Sequence, residues 1–465
     1  METTLETIHF YHTNDIHSHF ENWPQISRFL QDQRRLHGSQ KEACYIFDIG
    51  DHVDRSHPFT EGTNGKGNVS LLNEAGYDAV TIGNNEGITM AKTKLCDLYS
   101  ESLFDVIVGN VVEQDGSRPD WMLPSAIYET ERGTKIGVIG ATAEYQAFYS
   151  KLGWEVSPPR EQLKELAKRL KKETDLIVCL SHMGIKDDRL LAEECAEIDV
   201  IFGAHTHHLF QHGEWVNDTL LAATGKFGEY VGCVTVDVDI SRRARAKMEA
   251  SVVRTEQLKT TEEDRLILNK LLEVGKDAMG REVFYNPTPL PQNLFDQSPL
   301  ASFFGRALIA YTNADCAMFN AGIFLGSLDS GWITKQHLHA LLPHPINPCI
   351  ITLDGAELIH VYETSLNPDW PQTEIKGLGF RGALMGAMIH ERLFVNRTGQ
   401  LFAGNRQVVA GETYTLATLD MFTFGYFFPT LQHAKKDYCM PELIRDVLGW
   451  FGANYFHEKD QTTEP

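Results

Sequence analysis

Five short segments carry histidine, carboxylate and amide groups just after apolar runs. They read HTNDIHSH from His12, DIGDHVDRSH from Asp48, TIGNNEG from Thr81, LSHMG from Leu180 and FGAHTHH from Phe202. Their metal-capable residues are Asp15, His17, Asp51, Asn84, His182, His205 and His207. Asp15 and His17 are two apart, as are His205 and His207, a spacing that on extended chain turns both side chains the same way. Asp51 follows a glycine at a turn, where one carboxylate can bridge two ions. Asn84 offers a neutral carbonyl oxygen and His182 an imidazole. With no thiolate among them, the set suits Mn, Fe, Co, Zn or Mg better than a structural zinc site. Two divalent ions about 3.5–4 Å apart make hydroxide and clamp a phosphoryl group, so the expected chemistry is phosphoester hydrolysis.

Residues nearly 200 positions apart converge only if the fold brings them to one edge. Apolar runs such as IHFYH, CYIFDIG, AVTIG, VIVGN, IGVIGAT, LIVCLSH and VIFGAH have the length and Ile/Val content of strands buried on both faces. Helical patterns lie between them, among them WPQISRFLQDQRRL from Trp23 and the amphipathic REQLKELAKRLKKE from Arg160. Alternating strand and helix predicts an α/β layered domain, and every ligand segment sits at a strand end, where open α/β sheets bind ligands. The sequence predicts a first domain over 1–260, a linker helix and boundary over 261–289, and a second domain over 290–465. The Gly-rich EGTNGKGN from Glu61 lacks phosphate-loop spacing and reads as a mobile loop.

The chain has 465 residues, too many for one ordinary core. Hydrophobic residues at 42% and charged residues at 23% fit a soluble globular protein. A formal charge of -21 argues against nucleic acid as a partner, because phosphate backbones are held by Lys and Arg. It does not exclude a small phosphorylated metabolite if metals supply local positive charge. Eight cysteines without a C-x-x-C pair, several in apolar runs, predict buried reduced thiols. No secretory signal and no apolar run of membrane-spanning length is visible, so the expected location is cytoplasmic, with no membrane partner.

Taken in order, D-x-H, GD, GN, SH-x-G and GH-T-H resemble the calcineurin-like metallophosphoesterases. With the appended second domain, the chain resembles the 5′-nucleotidase / UDP-sugar hydrolase / 2′,3′-cyclic phosphodiesterase family nearly end to end. The resemblance implies a four-layer α/β sandwich of sheets flanked by helices, plus a smaller α+β C-terminal domain. It implies one ion on Asp15, His17, Asp51 and His207, and another on Asp51, Asn84, His182 and His205. It also implies hydrolysis of nucleotides, nucleotide sugars or cyclic phosphates by hydroxide made at the metals.

The departures bear on mechanism. The family's GNHE-x-D carries a His/Asp dyad, whereas this chain reads Gly83-Asn84-Asn85-Glu86-Gly87-Ile88. Asn85 can donate a hydrogen bond but cannot deliver a proton, and losing a positioned acid typically costs about 10²–10⁴ in rate. The run Asp51-x-x-Asp54-Arg55 resembles the GD-x-x-DR motif of related protein phosphatases, which implies Arg55 as a phosphate clamp. Asp54 would then hold Asn85 or Arg55, and His52 and His57 read as water-facing loop histidines. In the second domain the family's N-x-G-G-x-R reads Asn320-Ala321-Gly322-Ile323-Phe324, and its P-F-x-N element becomes Pro343-His344-Pro345-Ile346-Asn347. Asn320, Gly322, His344, Arg381, Phe422 and Phe424 are the expected substrate contacts, with core packing the competing role for the aromatics. A second functional class stays open: a catalytically weak, metal- and ligand-binding regulatory protein that has lost the dyad.

Overall fold

The computed structural model describes residues 5–462, with side chains described as far as residue 456; the end of the polar tail DQTTEP, residues 463–465, lies outside them. Two compact units divide the chain, Met1–Gly275 and Lys276–Pro465. The division lies inside the helix Glu262–Ala278. That helix is docked on the first unit: Arg28 donates to both Asp264 carboxylate oxygens at 2.9 and 3.1 Å. A Cβ added at Gly275 would lie 2.4 Å from the Phe59 backbone nitrogen, so the helix approaches closely there.

The first unit contains two large sheets. One has seven strands in the order Ala244–Arg254, Tyr230–Asp239, Leu5–Thr13, Ala43–Asp48, Ala79–Val80, Asp105–Ile107, Met122–Leu123. Its strands run parallel from Leu5–Thr13 outward to Met122–Leu123, while Tyr230–Asp239 pairs antiparallel with the first strand. The other has six, in the order Glu214–Val216, Thr219–Ala222, Val200–Gly203, Leu176–His182, Lys135–Thr142, Ser125–Glu129. Its inner four strands are parallel.

Alternation along each strand makes the layers. Ile8 and Phe10 point into a core shared with Phe47, Val138, Val178, Phe202 and Val234, which joins the two sheets face to face. Tyr11, on the opposite face, meets Phe29 and His37 of the helix Trp23–Gln40. Behind the six-stranded sheet, Ile139, Ile177 and Cys179 pack on Leu163, Leu166 and Leu191 from the helices Pro159–Leu170 and Ile185–Glu194. The result is the expected helix–sheet–sheet–helix stack. Each buried large apolar side chain adds roughly 1.5–3 kcal/mol to it.

The EGTNGKGN segment is an ordered turn between the helices Pro58–Gly62 and Lys66–Ala75, not a mobile loop. Asn64 and Gly65 reverse the chain there with φ of 51° and 78°. All eight cysteines are free. Among the described residues, no helix is long and apolar enough to cross a membrane.

The second unit is built on a five-stranded mixed sheet, Met388–Glu391, Cys316–Asn320, Thr413–Leu419, Pro348–Asp354, Lys435–Tyr438. The helices Pro299–Thr312 and Ile444–Thr462 pack on each other through Phe303 and Phe451.

Candidate metal centre

Each ligand segment leaves a strand and turns at once. Thr13 pairs with Asp48, and Asp48 with Val80, so the chain exits three neighbouring parallel strands at one level. Asp15, Asp51 and Asn84 lie just past those exits. In the facing sheet Ser181 pairs with Gly203, which puts His182 and His205 at the matching edge. Five of the seven candidates take the left-handed backbone: Asp15, His17, Asp51, His205 and His207, with φ of 51°, 49°, 53°, 71° and 57°. Non-glycine residues rarely do this, and Asp and His are among those that tolerate it. Such outliers gather where surrounding structure holds a site against its local preference. Two glycines let the loops touch. An added Cβ would lie 2.4 Å from the Gly83 nitrogen at Gly50, and 2.0 Å from Asp51 Oδ1 at Gly83.

Asp15, His17 and His207 form one group of donor atoms within 4.8 Å of one another, and Asp15, Asp51 and His182 a second. His17 Nε2 lies 3.7 Å from Asp15 Oδ1 and 3.6 Å from Asp51 Oδ2. His182 Nε2 lies 3.4 Å from Asp51 Oδ2, and His207 Nε2 3.4 Å from Asp15 Oδ1. Both carboxylates therefore face both clusters, where the resemblance made Asp51 alone the shared group. The His205 ring centroid sits 5.3 Å from that of His182.

His182 shows what the arrangement lacks. Its Nδ1–H donates to the Ile49 carbonyl at 2.6 Å, so the lone pair of Nε2 is aimed at the Asp51 carboxylate. That buried Nε2 has no hydrogen-bond partner, and neither has the buried Oδ1 of Asn84. Buried polar atoms are rarely left so, and a lone pair facing a carboxylate calls for a cation between them. Protons feel the same field. Burial would depress His17, but the nearby carboxylates of Asp15, Asp54 and Asp51 push it up to about 10. His182, likewise depressed by burial, is raised to about 9 by Asp51. The donor set fits divalent cations held by oxygen and imidazole.

The sequence reading did not assign the residues that hold the ligands in place. Asn14 donates to Asp15 Oδ2 at 2.7 Å and to the Gly225 carbonyl at 2.8 Å, and accepts from the Thr224 backbone at 2.9 Å. Buried Glu86 accepts from the backbone nitrogens of Asp51, Val53 and Gly83 at 3.0, 2.8 and 2.8 Å, tying the GD loop to the GN loop. Its presence in the GNNEG motif was the available signal. Tyr145 places its hydroxyl 3.3 Å from His205 Nε2 and had no signal of its own.

Several expectations are corrected. Arg55 is not poised as a phosphate clamp: Nε and Nη2 grip Glu61 at 2.8 and 3.0 Å, and Nη1 donates to the Thr89 carbonyl at 2.7 Å. Asp54 stands beside His17, with Oδ2 3.6 Å from Nδ1. Asn85 Nδ2 donates to the Val53 carbonyl at 3.0 Å and lies 3.0 Å from His17 Nδ1. His52 is buried against Trp23, and burial pushes its pKa down to about 3. His57 caps a helix, accepting from the Phe59 backbone at 3.2 Å. His52 is therefore not water-facing, and His57 is a half-buried loop residue.

In the second unit, three of the expected substrate segments meet. Asn320 Nδ2 donates to the Met385 carbonyl at 2.8 Å, while its buried Oδ1 has no partner. Gly322 packs so closely that a Cβ would lie 2.0 Å from the Leu384 carbonyl. His344 donates through Nε2 to the Ile323 carbonyl at 2.7 Å, accepts the Arg381 backbone N–H at 2.8 Å, and stacks on Phe380. It is a buried strut, not a surface contact. Phe422 is corrected outright: it is fully buried between Phe427 and Phe428, whereas Phe424 is 39% exposed.

Residues 8–209 match the calcineurin-like phosphoesterase family, and residues 285–425 match the 5′-nucleotidase C-terminal domain. The chain belongs to the two-domain calcineurin-like metallophosphoesterases, a family of phosphoester hydrolases. Among its relatives is the uncharacterized metallophosphoesterase YunD of Bacillus subtilis, 41% identical over 457 residues, covering 96% of this chain and 99% of that protein. The trifunctional nucleotide phosphoesterase YfkN of the same organism is 24% identical over 77% of this chain, a match spanning only 27% of YfkN. The 5′-nucleotidase precursor of Thermus thermophilus has a similar fold (TM-score 0.60, 18% identity, 97% of this chain and 96% of that one). So has the NAD nucleotidase of Haemophilus influenzae (TM-score 0.64, 14% identity, 97% of each chain).

Proposed function

We propose that this hydrolase works with a pair of divalent cations on nucleotides or nucleotide-like phosphates. The observation that carries the reading is the Asp51 carboxylate, flanked by His17 Nε2 at 3.6 Å and by the partnerless His182 Nε2 at 3.4 Å. Asp15, His17, Asp51 and His207 would hold one cation, and Asp51, Asn84, His182 and His205 the other. Such cations supply Lewis acidity toward phosphoryl oxygens and lower the pKa of water. The chain's own groups do the positioning. The Ile49 carbonyl fixes the His182 tautomer, Asn14 orients Asp15, and Glu86 locks two ligand loops together. Asn85 and Asp54 steady His17, so the dyad position has become a support for a metal ligand rather than a proton source.

The nucleotide class is favoured by the activities in the names of YfkN and the NAD nucleotidase, not by an aromatic platform, since Phe422 is core. The test is elemental analysis of the purified chain, followed by assay with Mn²⁺ against p-nitrophenyl phosphate, its bis ester and a panel of nucleotides and nucleotide sugars. Chelator-sensitive release from at least one of them is expected. A chain that retains two metal equivalents and hydrolyses none would establish the regulatory reading instead.

A further inference from the structure

We propose that His9, His37 and Glu42 form a second cation site of the zinc class, separate from the metal centre and on the face of the seven-stranded sheet covered by the helix Trp23–Gln40. His9 lies on the first strand, His37 in the last turn of the helix Trp23–Gln40, and Glu42 just beyond the left-handed turn at Lys41. Their donor atoms all lie within 4.8 Å of one another. His9 Nε2 and His37 Nδ1 approach the same Glu42 Oε2 at 3.0 and 3.2 Å. Tetrahedral zinc with His and carboxylate ligands at about 2.0–2.1 Å has ligand–ligand edges of about 3.3 Å. The site sits six residues upstream of Asp15, roughly 20 Å along an extended chain.

The hydrogen bonding around the cluster points to a cation. Tyr11 gives its hydroxyl proton to Gln33 Oε1 at 2.9 Å, so its oxygen accepts from His37 Nε2–H at 3.0 Å. With that proton on Nε2, His37 directs the lone pair of Nδ1 at a carboxylate oxygen. His9 Nδ1 is likewise held by a hydroxyl, Thr235 Oγ1 at 3.3 Å. A hydroxyl on the far nitrogen of each imidazole and a shared anion between the near ones is how proteins orient metal-ligating histidines. The rings stack with centroids 3.6 Å apart and planes 18° from parallel, so an ion held by both would turn one ring out of the stack to bring its lone pair onto the metal. Two imidazoles and one carboxylate favour zinc over magnesium or calcium. Glu42, one-third exposed, leaves a way in from solvent. An ion here would clasp the end of the helix to the first strand.

Zinc alone is the probe. After incubation with Zn²⁺ and gel filtration, the full chain should carry one more metal equivalent than the His9→Gln/His37→Gln variant, with phosphoesterase activity unchanged. Crystals of the unsubstituted chain grown with Zn²⁺ should show an anomalous peak bounded by His9, His37 and Glu42, a readout that survives if the variant does not fold. Equal metal content in folded parent and variant, or zinc density confined to the Asp15–Asp51 centre, would overturn the site and leave an ion-pair network. Both readouts are independent of whether the substrate assigned above is correct.

Discussion

His182 is pinned at one nitrogen by the Ile49 carbonyl and unpartnered at the other, so its replacement removes a donor that nothing else can supply. We expect His182→Ala to lower metal retention and turnover by more than about 10²-fold, read by elemental analysis and a p-nitrophenyl phosphate assay. Asn85 is predicted to act through His17. Asn85→Ala should raise the Mn²⁺ concentration for half-maximal activity roughly tenfold, with a smaller change in kcat at saturating metal. Asn85→His should lower turnover, because the new ring must displace the bonds to Val53 and His17; a large rise would mean that only a proton donor was missing. The ligand residues were legible in the sequence because metal chemistry restricts residue type as well as spacing. Arg55 was misread because its motif says nothing of Glu61, six residues further on, which neutralises it. His52 and His57 look solvated by residue type, yet His52 is buried and His57 half-buried where loops fold back on the strand ends.

At the scale of elements, the site is a join between two loops. Glu86 has two oxygens for three backbone donors. Glu86→Gln turns one of those oxygens into a donor facing donors, which should cost about 1–3 kcal/mol of stability, measured by thermal or urea unfolding. Gly83→Ala places a methyl group 2.0 Å from Asp51 Oδ1 and should abolish metal retention even where the chain folds. The strands themselves could be read from apolar runs, because burial on both faces leaves no polar residue to confuse the pattern. The turn at Asn64–Gly65 could not, since a Gly-rich segment reads the same whether or not it is packed. Glu86 was visible as a letter in a motif, but which three nitrogens it would bind depended on two loops meeting.

Across the whole molecule, the second unit was the less legible half. Its expected contacts were transferred by motif, and burial then separated Phe422, in the core, from Phe424, which remains partly exposed. It also holds a titratable group with a stability consequence. Burial pushes the Asp420 carboxyl up to about 7, against hydrogen bonds from the Asn347 and Met421 backbones. An unfolded aspartate titrates near 3.9, so the folded chain keeps this proton to higher pH. The stability associated with Asp420 is full below about pH 4, falls as pH rises through about 7, and then levels off. Asp420→Asn, which keeps an acceptor, should remove that decline. Relative to the parent it should gain on the order of 4 kcal/mol between about pH 4 and about pH 8, measured by urea unfolding.

Five residues in left-handed turns surround the candidate metal centre. Each such turn stores roughly 1–3 kcal/mol, and bound ions would help keep so many wound at once. Withdrawing the ions should let the rim uncoil as a unit, so ion exchange is paced by backbone release rather than by single-ligand dissociation. Amides of the 14–18, 50–54 and 203–207 segments would then lose hydrogen-exchange protection together on chelation, while the strands feeding them stay closed.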